Sequence, residues 1–201
     1  MMNCANCKTH NCYKAGQNCT RTTVEECKDL YTEEDKKIMR VAADVEGNHY
    51  MQITRLEETM IFAKEYGAKT IGLAFCIGLA NEAKLIQMYL EKEFKIHSVC
   101  CKVCGVAKTN FDLTQIKAGT RETMCNPKMQ ANILAQQKTE LNFTIGLCVG
   151  HDMLFNAAST VPTSCIITKD RLLGHNPVAA ISTRYWRRKL GIQGEITLQD
   201  D

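Results

Sequence analysis

The sequence has no long apolar run, and this absence argues against a membrane protein. No stretch approaches the roughly 20 apolar residues that a bilayer-spanning helix needs. The opening residues, MMNCANCKTHNCYKAGQNC, are polar and have no apolar centre, so we expect no secretory signal. These features predict a cytoplasmic protein with no membrane partner, in a compartment where thiols stay reduced.

Signatures of several common functions are also missing. The first apolar strand leads into CIGLANEA, where only Gly78 lies in the turn, so there is no GxGxxG loop to cradle a dinucleotide phosphate. There is no Ser-His-Asp signature either. A net charge of +3 with 23% charged residues gives little reason to expect nucleic acid as the main partner.

Cysteine is the residue that the sequence has in excess, at 12 of 201 positions. In a reducing compartment so many thiols indicate metal ligands more than disulfides. Thiolates bind soft or borderline cations, among them zinc and the irons of iron–sulfur clusters. The cysteines fall into two groups.

The first group lies in residues 1–30, a segment with almost no apolar residues to bury. Its proposed ligands are Cys4, Cys7, Cys12 and Cys19. Four such sulfurs can close a tetrahedral zinc site or hold an iron–sulfur cluster. Because the segment lacks a core, we expect bound metal to supply its folding energy. Cys27 follows at a distance and is read as structural.

The rest of the chain predicts a helical hairpin over 32–66 followed by alternating strands and helices. The predicted strands are 69–78, 95–104, 143–150 and 163–170, and the predicted helices are 81–94, 126–142, 151–159 and 176–191. This alternation predicts an α/β, Rossmann-like fold, with a parallel sheet and helices on both faces. The predicted organisation is a Cys-rich segment (1–30), a hairpin plus α/β domain (31–192) and a tail (193–201).

The second group of cysteines follows the ends of the predicted strands or precedes helix starts. Its members are Cys76, Cys101, Cys104, Cys125 and Cys148, with His151 three residues after the last. In an open parallel sheet, ligands bind outside the carboxyl ends of the strands. Nearby helix N-termini add positive potential that favours thiolates. The sequence therefore predicts a metal or cluster pocket at this edge.

Three cysteines in the α/β region have a plainer alternative. Cys100 and Cys101 are adjacent and face opposite ways in a strand, so one ligand is expected. Cys101 is preferred because it pairs with Cys104 as Cys-x-x-Cys, which leaves Cys100 as a core residue. Cys165 starts its strand, away from the carboxyl edge, and is read as core. For Cys76 the pocket and the core are equally good interpretations.

The segment KDRLLGHNP (169–177) follows the fourth strand at the same edge. Asp170, Arg171 and His175 are candidates for lining the pocket and binding or protonating a small anion. The alternative for this segment is a loop with a charged pair and a helix-capping Asn-Pro. His151 is a candidate for the same pocket as a metal ligand or as a donor to a ligand, and its alternative role is to cap a helix.

Several segments together resemble an uncharacterised metal-binding family, the domain of unknown function 1847. They are CANCKTHNC, IGLAFCIGLANEA, CCKVCG, CNPKMQA, IGLCVGHDMLF and LGHNPVAAI, spread from about residue 3 to about residue 192. The resemblance implies metal binding by cysteine, mostly in anaerobic bacteria and archaea, and no established reaction. The family's cysteines fall on Cys4, Cys7, Cys12, Cys19, Cys76, Cys101, Cys104, Cys125 and Cys148, with His151 after the last. The family usually has proline after the fourth of them, where this chain has Thr20.

The spacing does not separate zinc from an iron–sulfur cluster. The second group favours iron–sulfur, because more thiols converge than one zinc needs and an α/β core seldom needs a structural zinc. The leading hypothesis is redox or sulfur chemistry on a small molecule, with that substrate or a redox partner as the binding partner. The alternatives are a non-catalytic zinc-binding or metal-handling protein and a zinc-ribbon-like interaction module.

Overall fold

A computed structural model describes residues 2–192, and the predicted tail at 193–201 lies outside them. The chain divides into two compact units, with the division between residues 48 and 49. The domain boundaries expected from the sequence stay a prediction. No helix among residues 2–192 has both the length and the apolar character needed to cross a bilayer.

The first unit consists of short helical elements and one longer helix joined by irregular chain. It contains a 3-10 turn at Cys4–Asn6 and helices α1 (Asn11–Lys14), α2 (Val24–Asp29) and α3 (Glu33–His49). Helix α2 begins with a capping box, in which Thr23 accepts from the Glu26 backbone and the Glu26 carboxylate accepts from the Thr23 backbone. No residue in 2–30 is buried. The segment therefore has local hydrogen bonds but no hydrophobic core.

The second unit is built around a four-stranded sheet. After helix α4 (Arg55–Tyr66), which Gly67 ends in a left-handed conformation with φ 87°, the strands follow in order. They are β1 (Thr70–Phe75), β2 (Lys95–Cys100), β3 (Leu141–Ile145) and β4 (Thr163–Ile167). The spatial order is β2-β1-β3-β4 and every pairing is parallel. The predicted Rossmann-like α/β fold is confirmed.

Helix α4 and three later helices contribute buried side chains to the core around the sheet. The later helices are α5 (Ala80–Leu90), α6 (Pro127–Gln136) and α7 (Val149–Ala158). Two short helices without buried residues follow, α8 (Ala179–Ser182) and α9 (Arg184–Lys189). The core includes Ile71 and Leu73 of β1, Ile145 of β3, Leu134 of α6 and Phe155 of α7. Each such side chain contributes about 1.5–3 kcal/mol by leaving water.

All four strands end earlier than predicted, and the last predicted helix is interrupted. Strand β2 stops at Cys100, where a turn begins that leads into left-handed backbone at Cys104 (φ 69°) and Gly105 (φ 60°). The helix predicted over 176–191 is divided into α8 and α9 by extended backbone at Thr183. The Thr183 hydroxyl donates to the Ala179 carbonyl, a side-chain bond that often bends helices.

The connection from β2 to α6 is a long excursion that returns to its starting point. It is held by an antiparallel bridge between Ala107 and Thr123 and by the Lys108–Glu122 ion pair at 2.8 Å. It closes where the Asn126 backbone N–H donates to the Cys101 carbonyl at 2.8 Å. Residues on either side of the excursion, far apart in sequence, are thereby brought together at the carboxyl end of β2.

Candidate functional site

Three cysteines converge at the carboxyl ends of β1 and β2, and we call Cys76, Cys101 and Cys125 the sheet-edge cluster. Cys76 directly follows β1, and Cys101 directly follows β2. Cys125 precedes Asn126, whose side chain caps α6 by accepting from the Met129 backbone. The cluster lies near the topological switch point between β1 and β3, where α/β sheets bind ligands.

Backbone hydrogen bonds fix two cysteines of the cluster on the sheet. The Cys76 N–H donates to the Ile145 carbonyl at 3.0 Å, and the Cys101 N–H donates to the Phe75 carbonyl at 2.8 Å. These bonds extend the sheet pairing one residue beyond the strands. The thiols of Cys76 and Cys101 are therefore carried by hydrogen-bonded sheet backbone.

The Cys101 sulfur lies in contact with the other two sulfurs of the cluster. Cys101 Sγ is 3.8 Å from Cys125 Sγ, and the Cys76 thiol is hydrogen-bonded to the Cys101 thiol. The turn after β1 adds backbone donors, since the Ile77 N–H points at Cys101 Sγ from 3.3 Å and the Gly78 N–H bonds Cys76. Cys101 is only 1% exposed. The cluster is thus a packed group of sulfurs surrounded by N–H donors.

Two cations lie against cysteines at this edge. Lys169 Nζ is 3.3 Å from Cys76 Sγ, and Arg171 Nη2 is 2.8 Å from Cys148 Sγ. Gly78 leaves room for the lysine, because a Cβ there would lie 3.2 Å from Lys169 Nζ. Cys148 is the N-cap residue of α7, so its sulfur also lies at a helix N-terminus. The surroundings are therefore suited to negatively charged sulfur.

The three thiols of the cluster differ in their affinity for protons. The hydrogen bond from Cys101, with help from Gly78 and Lys169, lowers the pKa of Cys76 to about 4. The hydrogen bond from Cys101, with the charges of Lys102 and His151, lowers the pKa of Cys125 to about 5. Hydrogen bonds to these two neighbours, together with burial, raise the pKa of Cys101. Cys76 and Cys125 therefore ionise more readily than Cys101, which lies between them.

These pKa values predict an unusual pH dependence for alkylation of the metal-free protein. Thiolate is the reacting form, so Cys125 should react with iodoacetamide at a rate that stays high at neutral pH and falls as the pH drops through about 5. An ordinary thiol loses its reactivity as the pH drops through about 8.5. Peptide mass spectrometry after timed labelling measures the rate, and the chain unfolded in denaturant is the control. The same pH midpoint in folded and unfolded protein would contradict the lowered pKa of Cys125.

Cys104, predicted as a partner of Cys101, differs from the cluster in its exposure and in its backbone conformation. Its side chain is exposed, and its backbone is in the left-handed region that favours glycine. Within residues 2–192 no hydrogen bond joins Cys104 to another thiol. Cys100 is half-buried against the core and accepts from the Lys102 N–H at 3.5 Å. Cys165 contacts the Thr168 hydroxyl at 3.7 Å.

Asp170 and His175, predicted to bind a small anion, hold their own loop together. The Asp170 N–H donates to His175 Nδ1 at 3.2 Å, and the His175 N–H donates to the Asp170 carbonyl at 2.8 Å. The Asp170 carboxylate also accepts from the backbone of Leu172 and Leu173. This closed loop carries Arg171 to Cys148. His151 is near enough to Cys125 to influence the pKa of its thiol.

The cysteines of the first unit are all exposed: Cys4, Cys7, Cys12, Cys19 and Cys27. The His10 N–H donates to Cys7 Sγ at 3.4 Å, and this bond, with others from Thr9, lowers the pKa of Cys7. A backbone N–H directed at a sulfur three residues earlier suits a thiolate. The fourfold ligand set expected for this segment stays a prediction.

No three Cys, His, Asp or Glu side chains among residues 2–192 are already arranged to hold a metal ion. In the sheet-edge cluster the sulfurs contact one another and do not yet surround a common centre. The donor set nevertheless fits a soft cation. A tetrahedral site with Zn–S bonds of about 2.3 Å places its sulfurs about 3.8 Å apart, which is the separation of Cys101 and Cys125.

Lys169 was missed as a site residue from the sequence, although a signal was available. It follows β4, so its backbone lies at the same carboxyl edge as the cysteines. A lysine at that position can be expected to face anionic sulfur. Gln130 of α6, a fully buried residue that donates to the Phe75 and Val99 carbonyls beside the cluster, was missed as well. A single polar residue in an amphipathic helix carries no sequence signal for burial.

A family model described as protein of unknown function (DUF1847) matches residues 15–166 of the chain. An uncharacterised protein of Methanocaldococcus jannaschii is 46% identical over 190 residues, which cover 94% of this chain and 98% of that protein. No solved structure matches the chain. The matched range includes the whole sheet-edge cluster and Cys148, but of the four expected N-terminal ligands only Cys19.

Proposed function

The chain belongs to the DUF1847 family of proteins of unknown function, and from that premise we propose that it is a metal-binding protein with two cysteine sites. The first site is the sheet-edge cluster with Cys148 as a fourth sulfur. The second is formed by Cys4, Cys7, Cys12 and Cys19. The observation that carries the proposal is the contact of three thiols at the sheet edge, two of them with strongly lowered pKa values.

Charge balance supports the first site. A divalent cation with four thiolates has a net charge of about −2. Lys169 and Arg171 already lie against Cys76 and Cys148 and offset that charge. The pKa of Cys101 is raised by its hydrogen bonds to the neighbouring thiols and by burial, so this sulfur gives up a proton when it becomes a ligand. Binding at this site therefore releases protons and weakens in acid.

The sulfur separation at the sheet edge suits two thiolates on one metal ion, either a zinc ion or one iron of a [2Fe–2S] cluster. Two thiolates on one ion lie at the distance found between Cys101 and Cys125, 3.8 Å. In a [4Fe–4S] cluster each cysteine binds a different iron, which sets the sulfurs farther apart. The expectation of iron–sulfur came from the number of thiols and from the rare need for a structural zinc in an α/β core, and zinc and iron–sulfur both stay proposals for this site.

A second candidate function is redox or sulfur chemistry on a small anionic molecule. It is favoured by the position of Cys148 and Arg171, a partly exposed thiol and a cation, next to the topological switch point. In this case the metal would supply redox or Lewis-acid chemistry, while Arg171 would bind the anion. Without such a reaction, both metals are structural. In either case we place the protein in the cytoplasm, where the thiols stay reduced.

Metal content and optical spectrum after anaerobic purification test the proposal. We expect about two metal equivalents per chain if each cysteine group binds one ion. A colourless protein with zinc supports the first form, and a brown protein with iron and acid-labile sulfide supports the cluster form. A chain that holds no metal above trace, even after anaerobic incubation with zinc or with iron and sulfide, would refute the proposed function.

A further inference from the structure

Gln130 of α6 is fully buried and lies beneath the sheet-edge cluster. Its relative exposure is 0%. The side-chain amide Nε2 donates to the Val99 carbonyl at 2.7 Å and to the Phe75 carbonyl at 3.3 Å. Both carbonyls belong to the ends of strands just before the cluster, because Phe75 precedes Cys76 and Val99 lies two residues before Cys101. One amide therefore joins the carboxyl ends of two neighbouring strands.

The same helix is joined to the cluster at a second point. Asn126 begins α6 as its N-cap and donates its backbone N–H to the Cys101 carbonyl. Cys125 immediately precedes Asn126. The Gln130 N–H in turn donates to the Asn126 carbonyl at 3.0 Å. The Gln130 side chain thus joins the strand ends that carry Cys76 and Cys101 to the helix that begins directly after Cys125.

The other half of the Gln130 amide has no compensating contact. Its Oε1 is buried and has no hydrogen-bond partner within residues 2–192. A buried acceptor without a partner is unfavourable, and an apolar side chain of similar size would avoid it. The two Nε2 contacts are what glutamine provides at this position and methionine cannot.

From these contacts we infer that Gln130 is a positioning residue for the sheet-edge cluster, which fixes the relative placement of Cys76, Cys101 and Cys125. This inference rests on the proposed function insofar as the placement serves metal binding. Residues that orient ligands from outside typically change metal affinity by about 10–100-fold when replaced. Gln130 would act in this way through the backbone of the ligands.

The test uses the full chain with Cys4, Cys7, Cys12 and Cys19 replaced by serine, so that only the sheet-edge site binds the probe. Into this background we introduce Gln130→Met, which keeps the length of the side chain and removes both donors. The matched control is Asn142→Leu. Asn142 is also a buried amide, 2% exposed, but it bonds Ser159 and Thr139 away from the carboxyl edge.

Gln130→Met is expected to weaken Cd²⁺ binding by about 10–100-fold and to shift the thiolate-to-metal absorption of the Co²⁺ form. Without metal, it should also speed amide hydrogen exchange at residues 75–77 and 99–102. Asn142→Leu should lower the melting temperature and leave the Cd²⁺ affinity and the Co²⁺ spectrum as they are. A purely structural role for Gln130 would give the same pattern as the control.

Cd²⁺ affinity and Co²⁺ absorption of Gln130→Met equal to those of the background would overturn the inference, as would unchanged exchange at both strand ends. A background protein that binds no Cd²⁺ has a different meaning. If Gln130→Met still loosens both strand ends, the proposed metal site fails while the positioning of the cysteines stands. The two failures are therefore distinguishable.

Discussion

Replacing Cys101 by serine is expected to remove one metal equivalent per chain and leave the other bound. Cys101 is the central sulfur of the sheet-edge cluster, in contact with both Cys76 and Cys125. A structural zinc site contributes about 10–16 kcal/mol through four ligands, so one lost thiolate should weaken binding by at least about a hundredfold. Elemental analysis of the purified protein, followed by competition with a chelator, measures the effect.

Other cysteines of the same region provide the comparison. Cys165→Ser removes a thiol that contacts the Thr168 hydroxyl, and it should leave the metal content unchanged. Cys148→Ser should reduce affinity, because it removes the proposed fourth sulfur. Cys104→Ser decides whether the Cys-x-x-Cys pattern or the contact geometry identifies the ligands. Full metal content in Cys101→Ser would refute the assignment of the cluster as a metal site.

The position of the cluster could be predicted from the sequence because it follows from topology. Apolar runs mark strands, and a residue just after a parallel strand lies at the carboxyl edge, which places Cys76 and Cys101 together. The Asn-Pro pair after Cys125 identified the start of α6. Such features are local, and local sequence determines them.

The partners of each sulfur could not be predicted in this way. Cys104 resembles a ligand because it is three residues from Cys101, but left-handed backbone at Cys104 and Gly105 accompanies an exposed side chain. The contacts of Lys169 and Gln130 connect segments that are far apart in the chain, and only the packed structure brings them together. Whether four sulfurs surround a common ion is a further question of side-chain geometry.

Metal removal is expected to unfold residues 2–30 of the first unit and to leave the sheet of the second unit folded. None of these residues is buried, so no hydrophobic term replaces the metal when it is lost. In the second unit the core of the sheet includes fully buried side chains such as Ile71 and Leu134. Chelation should therefore act on the two units very differently.

Limited trypsin digestion of the full chain measures this difference. Without metal, we expect cleavage after Lys8, Lys14, Arg21 and Lys28 to speed up by at least about tenfold, since the metal supplies most of the folding energy of such a segment. Cys7→Ser should produce the same sensitivity without a chelator, whereas Cys101→Ser should not, because its site is in the other unit. Equal cleavage with and without metal would mean that the capping box at Thr23 and similar local hydrogen bonds suffice to hold the segment. A metal site at Cys4, Cys7, Cys12 and Cys19 would then lose its physical justification.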